Sequence, residues 1–390
     1  MNGITSAVLG GEVSMYRRAF RLSLIGVPLL LTMAVLTPAA SAEPASDAAE
    51  ALLPSALADA VSRDLGLDPQ QFLDRADAAR RLAEFTATVG SEVVTGSWLD
   101  ANGHPVVTLA SGPTHAEAAD AAVASGFGIA AAALDIPPVV VGSVQPLLDV
   151  LPFDPAPIAG SIRASSYLGG DSFLAGTPAG LGQRCSLGFN ALDQTRGAVN
   201  ITAGHCNPNV TDTGSAALTG AYPMYGSLVG SKFGSFYRTS RSNTDYALID
   251  IDDANIGAFE SNAVRVPGAG PLHVTGTVDP IVGAPVCKSG TRTGFSCGTI
   301  LSTGQNLAMG DNVLDRSFST SICALRGDSG GPIVSGTLAV GIANASNVGD
   351  QPSCDIATVV SMLQGQRPEL FATPVNDILA QNPGLTIRTM

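Results

Sequence analysis

The sequence predicts an all-β region of many short strands, preceded by a small α+β unit and an export signal. Most of the 44 glycines lie after residue 160, where they separate short runs of Val, Ile, Leu and Thr as turns separate strands. All six cysteines (Cys185, Cys206, Cys287, Cys297, Cys323 and Cys354) fall in that half, whereas the single tryptophan, Trp98, falls before it. The two halves therefore differ in composition. A chain of 390 residues also exceeds the roughly 250 over which one core usually grows, so more than one unit is expected.

The first 42 residues read as a processing signal. Arg17, Arg18 and Arg21 precede an apolar run at 22–36, and Ala40-Ser41-Ala42 follows as a small-residue cleavage site. The run is shorter than the ~20 residues needed to span a bilayer, so a cut after Ala42 is expected rather than a permanent anchor. Arg17-Arg18 also fits a twin-arginine signal. On either route the product is secreted and extracellular, with no membrane attachment once processed.

Residues 43–165 form the second unit. Between 52 and 85 the apolar positions Leu65, Leu67, Phe72, Leu73, Leu82 and Phe85 predict two or three short helices. Runs at 93–99 and 105–109 flank Asn102-Gly103, a dipeptide suited to a tight hairpin turn. Residues 114–124 read as a helix with Thr114 at its N-cap and Glu117 three positions on. A strand follows at 139–144, and a Pro/Gly/Ser-rich linker is expected at about 145–165. The all-β region then runs from 166 to 390, with a last helix near Pro374.

Only 14% of residues are charged and the net charge is −13, which excludes nucleic-acid binding through basic patches. An even cysteine count in an exported region marks disulfides, and six cysteines permit 15 pairings. No CxxC occurs and a single histidine adjoins a cysteine, so no metal site and no cofactor are expected.

The most specific segment is Gly-Asp-Ser-Gly-Gly-Pro at 327–332. A serine attacks a carbonyl when a base removes its proton and preorganised N–H donors meet the developing oxyanion. Ser329 is the predicted nucleophile, and flanking glycines let the N–H groups of Gly327 and Ser329 converge as an oxyanion hole. His205, in Thr-Ala-Gly-His-Cys at 202–206, is the predicted general base. His273 has no partner motif and reads as structural. Asp245 opens an apolar run, which suits a half-buried acceptor for the imidazole proton, whereas Asp250 and Asp252 sit at the solvated end of that run. The order His, Asp, Ser differs from that of α/β-hydrolases and subtilisins.

With these residues in place, the chain resembles the streptogrisin and α-lytic protease branch of the chymotrypsin-type serine peptidases. The segment Arg184-Cys185-Ser186-Leu187-Gly188-Phe189-Asn190 is similar to the family's first barrel strand, and 287–298 to its short disulfide loop. The resemblance implies two six-stranded antiparallel β-barrels with the triad between them. It also implies the pairs Cys185–Cys206, Cys287–Cys297 and Cys323–Cys354. Residues 43–165 resemble the family's pro-domain, notably at Arg63-Asp64-Leu65-Gly66-Leu67 and Gly96-Ser97-Trp98-Leu99-Asp100. That implies a secreted serine endopeptidase made as a zymogen and acting on polypeptides. Its own pro-domain assists folding and inhibits in cis, and the mature form is a monomer.

Two positions depart from the family pattern. Lys288 stands where relatives usually have Arg, and an ion pair from Lys288 to Asp328 is expected to support the oxyanion loop. Asn344-Ala345-Ser346 replaces the usual Ser followed by glycines on the substrate-binding strand, with side chains that narrow the entrance to the specificity pocket. Apart from Asp355 no acid suggests itself at the pocket base, which favours apolar or small residues before the scissile bond. A maturation cut is expected within 162–169. The alternative reading is a secreted pseudoprotease, a binding or adhesion protein whose altered 344–346 wall blocks substrate.

Overall fold

The computed structural model describes residues 53–134, 144–152, 164–176, 180–309 and 312–389. The export signal, its cut after Ala42, residues 139–143 of the expected strand and much of the expected linker lie outside the described residues.

The N-terminal unit begins with α1 (Ser55–Leu65) and α2 (Pro69–Val89). Gly66 ends α1 in a left-handed conformation at φ 65°. Asp68 then starts α2 with a reciprocal cap, its Oδ1 accepting the Gln71 N–H at 2.8 Å while Gln71 Oε1 accepts the Asp68 N–H at 3.1 Å. Two helices thus stand where two or three short ones were expected, the second of them long at 21 residues. Strands β1 (Val94–Leu99) and β2 (Pro105–Leu109) pair with Leu99 opposite Pro105. Their turn is wider than a two-residue one, because Asp100 Oδ1 accepts the N–H groups of Asn102 and His104 and Gly103 takes φ 86°. Helix α3 (His115–Ala124) follows without a side-chain cap from Thr114, and β3 (Gly128–Ile129) runs parallel to β2.

Residues 145–152, read from composition as linker, instead contain β4 (Gln145–Pro146) and β5 (Val150–Pro152). Prolines mask the signal here, since neither Pro146 nor Pro152 prevents an extended segment from adding to an edge.

The first barrel contains β6 (Ser172–Gly176), β7 (Leu181–Ser186), β8 (Phe189–Asp193), β9 (Gly197–Thr202), β10 (Gly220–Tyr225) with its short partner β11 (Leu228–Val229), β12 (Gly234–Ser240) and β13 (Tyr246–Ile251). Hydrogen bonding runs β8-β9-β13-β12-β10-β6-β7. Only Leu187-Gly188 separates β7 from β8, so the two act as one bent strand and close a six-stranded ring. The bend requires glycine, because a Cβ at Gly188 would lie 2.1 Å from the Ile201 carbonyl oxygen. Phe173, Phe233, Phe236 and Ile249 fill the interior.

Short strands β14 (Ala263–Val264), β15 (Leu272–His273) and β16 (Gly276–Thr277) lead to the second barrel. Its strands are β17 (Pro285–Gly290), β18 (Gly294–Met309), β19 (Asn312–Thr320), β20 (Pro332–Ser335), β21 (Leu338–Ser346) and β22 (Leu370–Pro374). The path β21-β20-β17-β18-β19-β22 closes through a β21–β22 pairing. Helices α4 (Cys354–Leu363) and α5 (Val375–Ala380) and strand β23 (Leu385–Ile387) complete the chain. Pro374 precedes α5 as its N-cap, and β23 returns to pair with β8. The fold is chymotrypsin-like and all-β.

The N-terminal unit packs on the second barrel. Leu82, Leu99 and Val107 share an apolar cluster with Val286, Ile300 and Phe318. The Leu99 N–H donates to the Val282 carbonyl at 2.8 Å, and the Asp64 carboxylate accepts the Cys297 N–H at 2.8 Å.

Candidate active site

His205 lies in the 3-10 turn Gly204–Cys206, directly after β9. That turn presses so closely on the end of β12 that a Cβ at Gly204 would sit 2.0 Å from the Ser240 carbonyl oxygen. The Cys185–Cys206 disulfide fixes its far side. The His205 N–H donates to Asp245 Oδ1 at 2.8 Å, and Nδ1 lies 2.5 Å from Asp245 Oδ2. On the other side of the ring, Nε2 is 2.6 Å from Ser329 Oγ. All three side chains are buried.

Asp245 ends the loop before β13, just after Asn243 in a left-handed conformation at φ 68°. Asn344 Nδ2 donates to Asp245 Oδ2 at 2.9 Å and to the Asp245 carbonyl oxygen at 2.7 Å. Asn344, on β21, therefore positions the carboxylate. The sequence reading missed this contact, because Asn344 and Asp245 stand on different barrels and lie 99 residues apart in the chain. Asp250 and Asp252 pair instead with Arg196 and Lys232 near solvent. His273 is exposed and faces Asn262, away from the site.

Ser329 sits in the connection from β19 to β20. Gly327 and Gly330 hold positive φ angles of 103° and 80°, and a Cβ at Gly330 would lie 2.0 Å from Thr202 Oγ1. The Ser329 carbonyl accepts the Ser186 N–H at 2.8 Å, which staples the loop to the first barrel. Behind it, Asp328 accepts N–H groups from Arg292, Thr293 and Leu325 and the Thr293 hydroxyl. Lys288 Nζ lies 3.5 Å from Asp328 Oδ2, and both side chains are fully buried. Nζ also donates to Thr293 Oγ1 at 2.7 Å, so the threonine hydroxyl bridges the pair. Burial holds the Lys288 amine below the ordinary lysine value, opposed by the attraction of Asp328. Thr293 was not singled out by sequence, since a threonine in a Gly-rich loop carries no distinctive pattern.

The six cysteines form the pairs Cys185–Cys206, Cys287–Cys297 and Cys323–Cys354. The third ties the Ser329 loop to the start of α4. Asp355, on the first turn of that helix, is exposed and is no pocket base. The wall at 344–346 also differs from expectation. Ser346 Oγ accepts the Val348 N–H at 3.1 Å, and Ala345 packs with Leu307, Met309, Leu314 and Phe371. Both side chains are thus engaged within the second barrel, and Leu147, directly after β4, is fully buried beside this strand, its N–H donating to the Asn344 carbonyl at 3.3 Å. Among the described residues no group of three or more His, Cys, Asp or Glu side chains gathers to hold a metal ion.

Residues 198–365 match the protein family described as Trypsin. The chain is 29% identical to Streptogrisin-C of Streptomyces griseus over 373 residues, covering 81% of this chain and 75% of that protein. It is 32% identical to Serine protease 2 of Streptomyces fradiae over 169 residues, or 43% of this chain and 88% of the relative. Glutamyl endopeptidase 2 of Streptomyces griseus is 29% identical, over 46% of this chain and 85% of its own. Among solved structures, Thermobifida fusca Protease A is 26% identical, with a TM-score of 0.44 over 58% of this chain and all of that one.

Proposed function

Because the chain is a serine endopeptidase with a Trypsin-family domain at 198–365, we propose that it hydrolyses peptide bonds through a Ser329-His205-Asp245 triad and an acyl-enzyme. The observation that carries this reading is the continuous chain of contacts from Asp245 Oδ2 through both ring nitrogens of His205 to Ser329 Oγ, at 2.5 and 2.6 Å. In this order Asp245 fixes the ring and favours its charged form. His205 takes the Ser329 proton and later delivers it to the leaving amine. The Gly327 N–H, presented by a positive-φ glycine above Asp328, is a donor for the oxyanion.

The protein is secreted and made as a zymogen. The signal-like pattern at 1–42 supports export, and the likeness to Streptogrisin-C extends over more of the chain than the two barrels account for. A Gly-rich double barrel built from non-local strand pairings folds slowly, which gives the docked N-terminal unit a role in assisting it. The pocket prefers apolar residues, since Asp355 is turned to solvent.

A fluorophosphonate probe tests the reading. The processed wild-type protein is expected to be labelled and to hydrolyse peptide amides, while Ser329→Ala loses both and stays folded by circular dichroism. Absence of labelling in correctly processed wild type would overturn it.

A further inference from the structure

Residues 144–152 pass through the cleft in extended form, held on both sides of a single peptide bond. Upstream, Gln145 and Pro146 pair antiparallel with Ser346 and Ala345. The Leu147 N–H donates to the Asn344 carbonyl at 3.3 Å. The Leu147 carbonyl oxygen accepts the Gly327 N–H at 3.2 Å and lies 3.0 Å from Ser329 Oγ. Its side chain is fully buried in an apolar cluster with Ala324 and Ala343, and a Cβ at Gly349 would come within 2.9 Å of Leu147 Cδ2. Three residues earlier, Val144 fills a second apolar hollow formed by Leu307, Met309, Leu314, Ala345 and Phe371.

Downstream, the Arg184 N–H donates to the Asp149 carbonyl at 2.9 Å, and Arg184 Nε donates to Asp149 Oδ2 at 2.6 Å. Val150–Pro152 then pairs with 181–183 at the edge of the first barrel. The carbonyl between these two anchorages faces the nucleophile and the Gly327 donor.

We propose that Leu147–Leu148 is the bond this protease cuts in its own chain, and that its subsites select a large aliphatic residue before the cut and an acidic residue two positions after it, read by Arg184. This rests on the triad assigned above. Ser329 Oγ adds to the Leu147 carbonyl carbon as its proton passes to His205 Nε2. The C–N bond then breaks, and the proton goes to the Leu148 nitrogen, which leaves as a free amine. Water, deprotonated by His205, hydrolyses the Leu147 ester and restores Ser329. The cut falls upstream of the 162–169 window expected from sequence. It leaves β5 on the catalytic part as an added edge strand, because Val150–Pro152 lies on the C-terminal side of the bond.

The test is N-terminal sequencing of the full chain during maturation. Wild type is expected to yield a new terminus at Leu148, and Ser329→Ala to yield none. Leu147→Lys, which forces an unpaired charge into the apolar pocket, should slow that cut at least about tenfold. Arg184→Glu should slow it about tenfold, and the swap Arg184→Glu with Asp149→Arg should restore it, a rescue that a merely structural role would not give. A Ser329-dependent terminus elsewhere, or a probe-labelled protein that leaves Leu147–Leu148 intact, overturns this proposal and leaves the triad standing. No Ser329-dependent cut together with no probe labelling overturns the triad itself.

Discussion

Asn344 Nδ2 donates to the same Asp245 oxygen that receives the His205 ring N–H, at 2.9 Å, while the Asn344 carbonyl oxygen holds the Leu147 N–H. One residue thus serves the acid with its side chain and the substrate backbone with its main chain. Asn344→Ala removes only the former. A hydrogen bond to a charged group contributes about 1.5–3 kcal/mol, so kcat should fall about 10- to 100-fold. KM should stay nearly constant, because the backbone contact survives. Steady-state kinetics on a peptide amide separates the two parameters, and a rise in KM at constant kcat would contradict this division of labour.

Asp245→Asn keeps the shape of the site and removes its charge. The amide leaves the His205 ring in the wrong tautomer for accepting the Ser329 proton, which drops kcat by about 10⁴ in a triad of this kind. Kinetics at neutral pH checks the magnitude. Little change would mean that another acid serves His205.

Lys288 makes a prediction with opposite signs for activity and stability. Its folded pKa lies below the ordinary 10.5 because burial disfavours the charge. As pH rises through that lowered value the ammonium is lost, Asp328 loses its cation, and activity should decline before ordinary lysines titrate. Across the window from the lowered value up to 10.5, the unfolded chain binds more protons than the folded chain. Stability from this group therefore rises with pH there. Lys288→Arg, which stays charged, should move the alkaline limb of kcat upward, and Lys288→Met should reduce turnover at every pH. Unchanged turnover in Lys288→Met would dismiss the ion pair as a support of the oxyanion loop.

The Cys323–Cys354 disulfide spans 31 residues and anchors the Ser329 loop to α4. On the chain-entropy argument its removal costs about 3–4 kcal/mol. The double variant Cys323→Ser with Cys354→Ser should unfold at lower denaturant, and its kcat should fall because the Ser329 loop loses its tie to α4. Denaturant titration with paired kinetics decides.

Asp64 connects the N-terminal unit to the protease through the Cys297 N–H, next to an Arg63 contact with the Phe295 carbonyl at 3.3 Å. Asp64→Ala leaves that N–H without its acceptor and should weaken docking by about 1–3 kcal/mol. Proteolytic activity should then appear sooner after the self-cut. A time course of peptide hydrolysis during maturation measures this, and an unchanged lag would show that Asp64 does not hold the unit in place.

Ser329, His205 and Asp245 were legible in the chain because each sits in a short motif whose composition local backbone geometry demands. Gly327, Gly330 and Gly204 must be glycine, since any Cβ meets a neighbour or a positive φ. The all-β character was equally legible, because turn glycines and β-branched runs are local signals. Thr293 and the second role of Asn344 were not, because each depends on a partner 35 or 99 residues away. Composition misread 145–152 altogether. Prolines and the absence of periodicity suggested a linker, yet the segment has no structure of its own to display in sequence. It takes its extended form from β21 and β7, which supply the hydrogen bonds it lacks.

The sequence by itself determined the chemistry proposed for this protein, since the proposed nucleophile, base and acid are written in local motifs. Only the tertiary structure decided what that chemistry faces. The Leu147 carbonyl reaches Ser329 because two barrels, far apart in the chain, close around it, and no local pattern records which segment a cleft will bind.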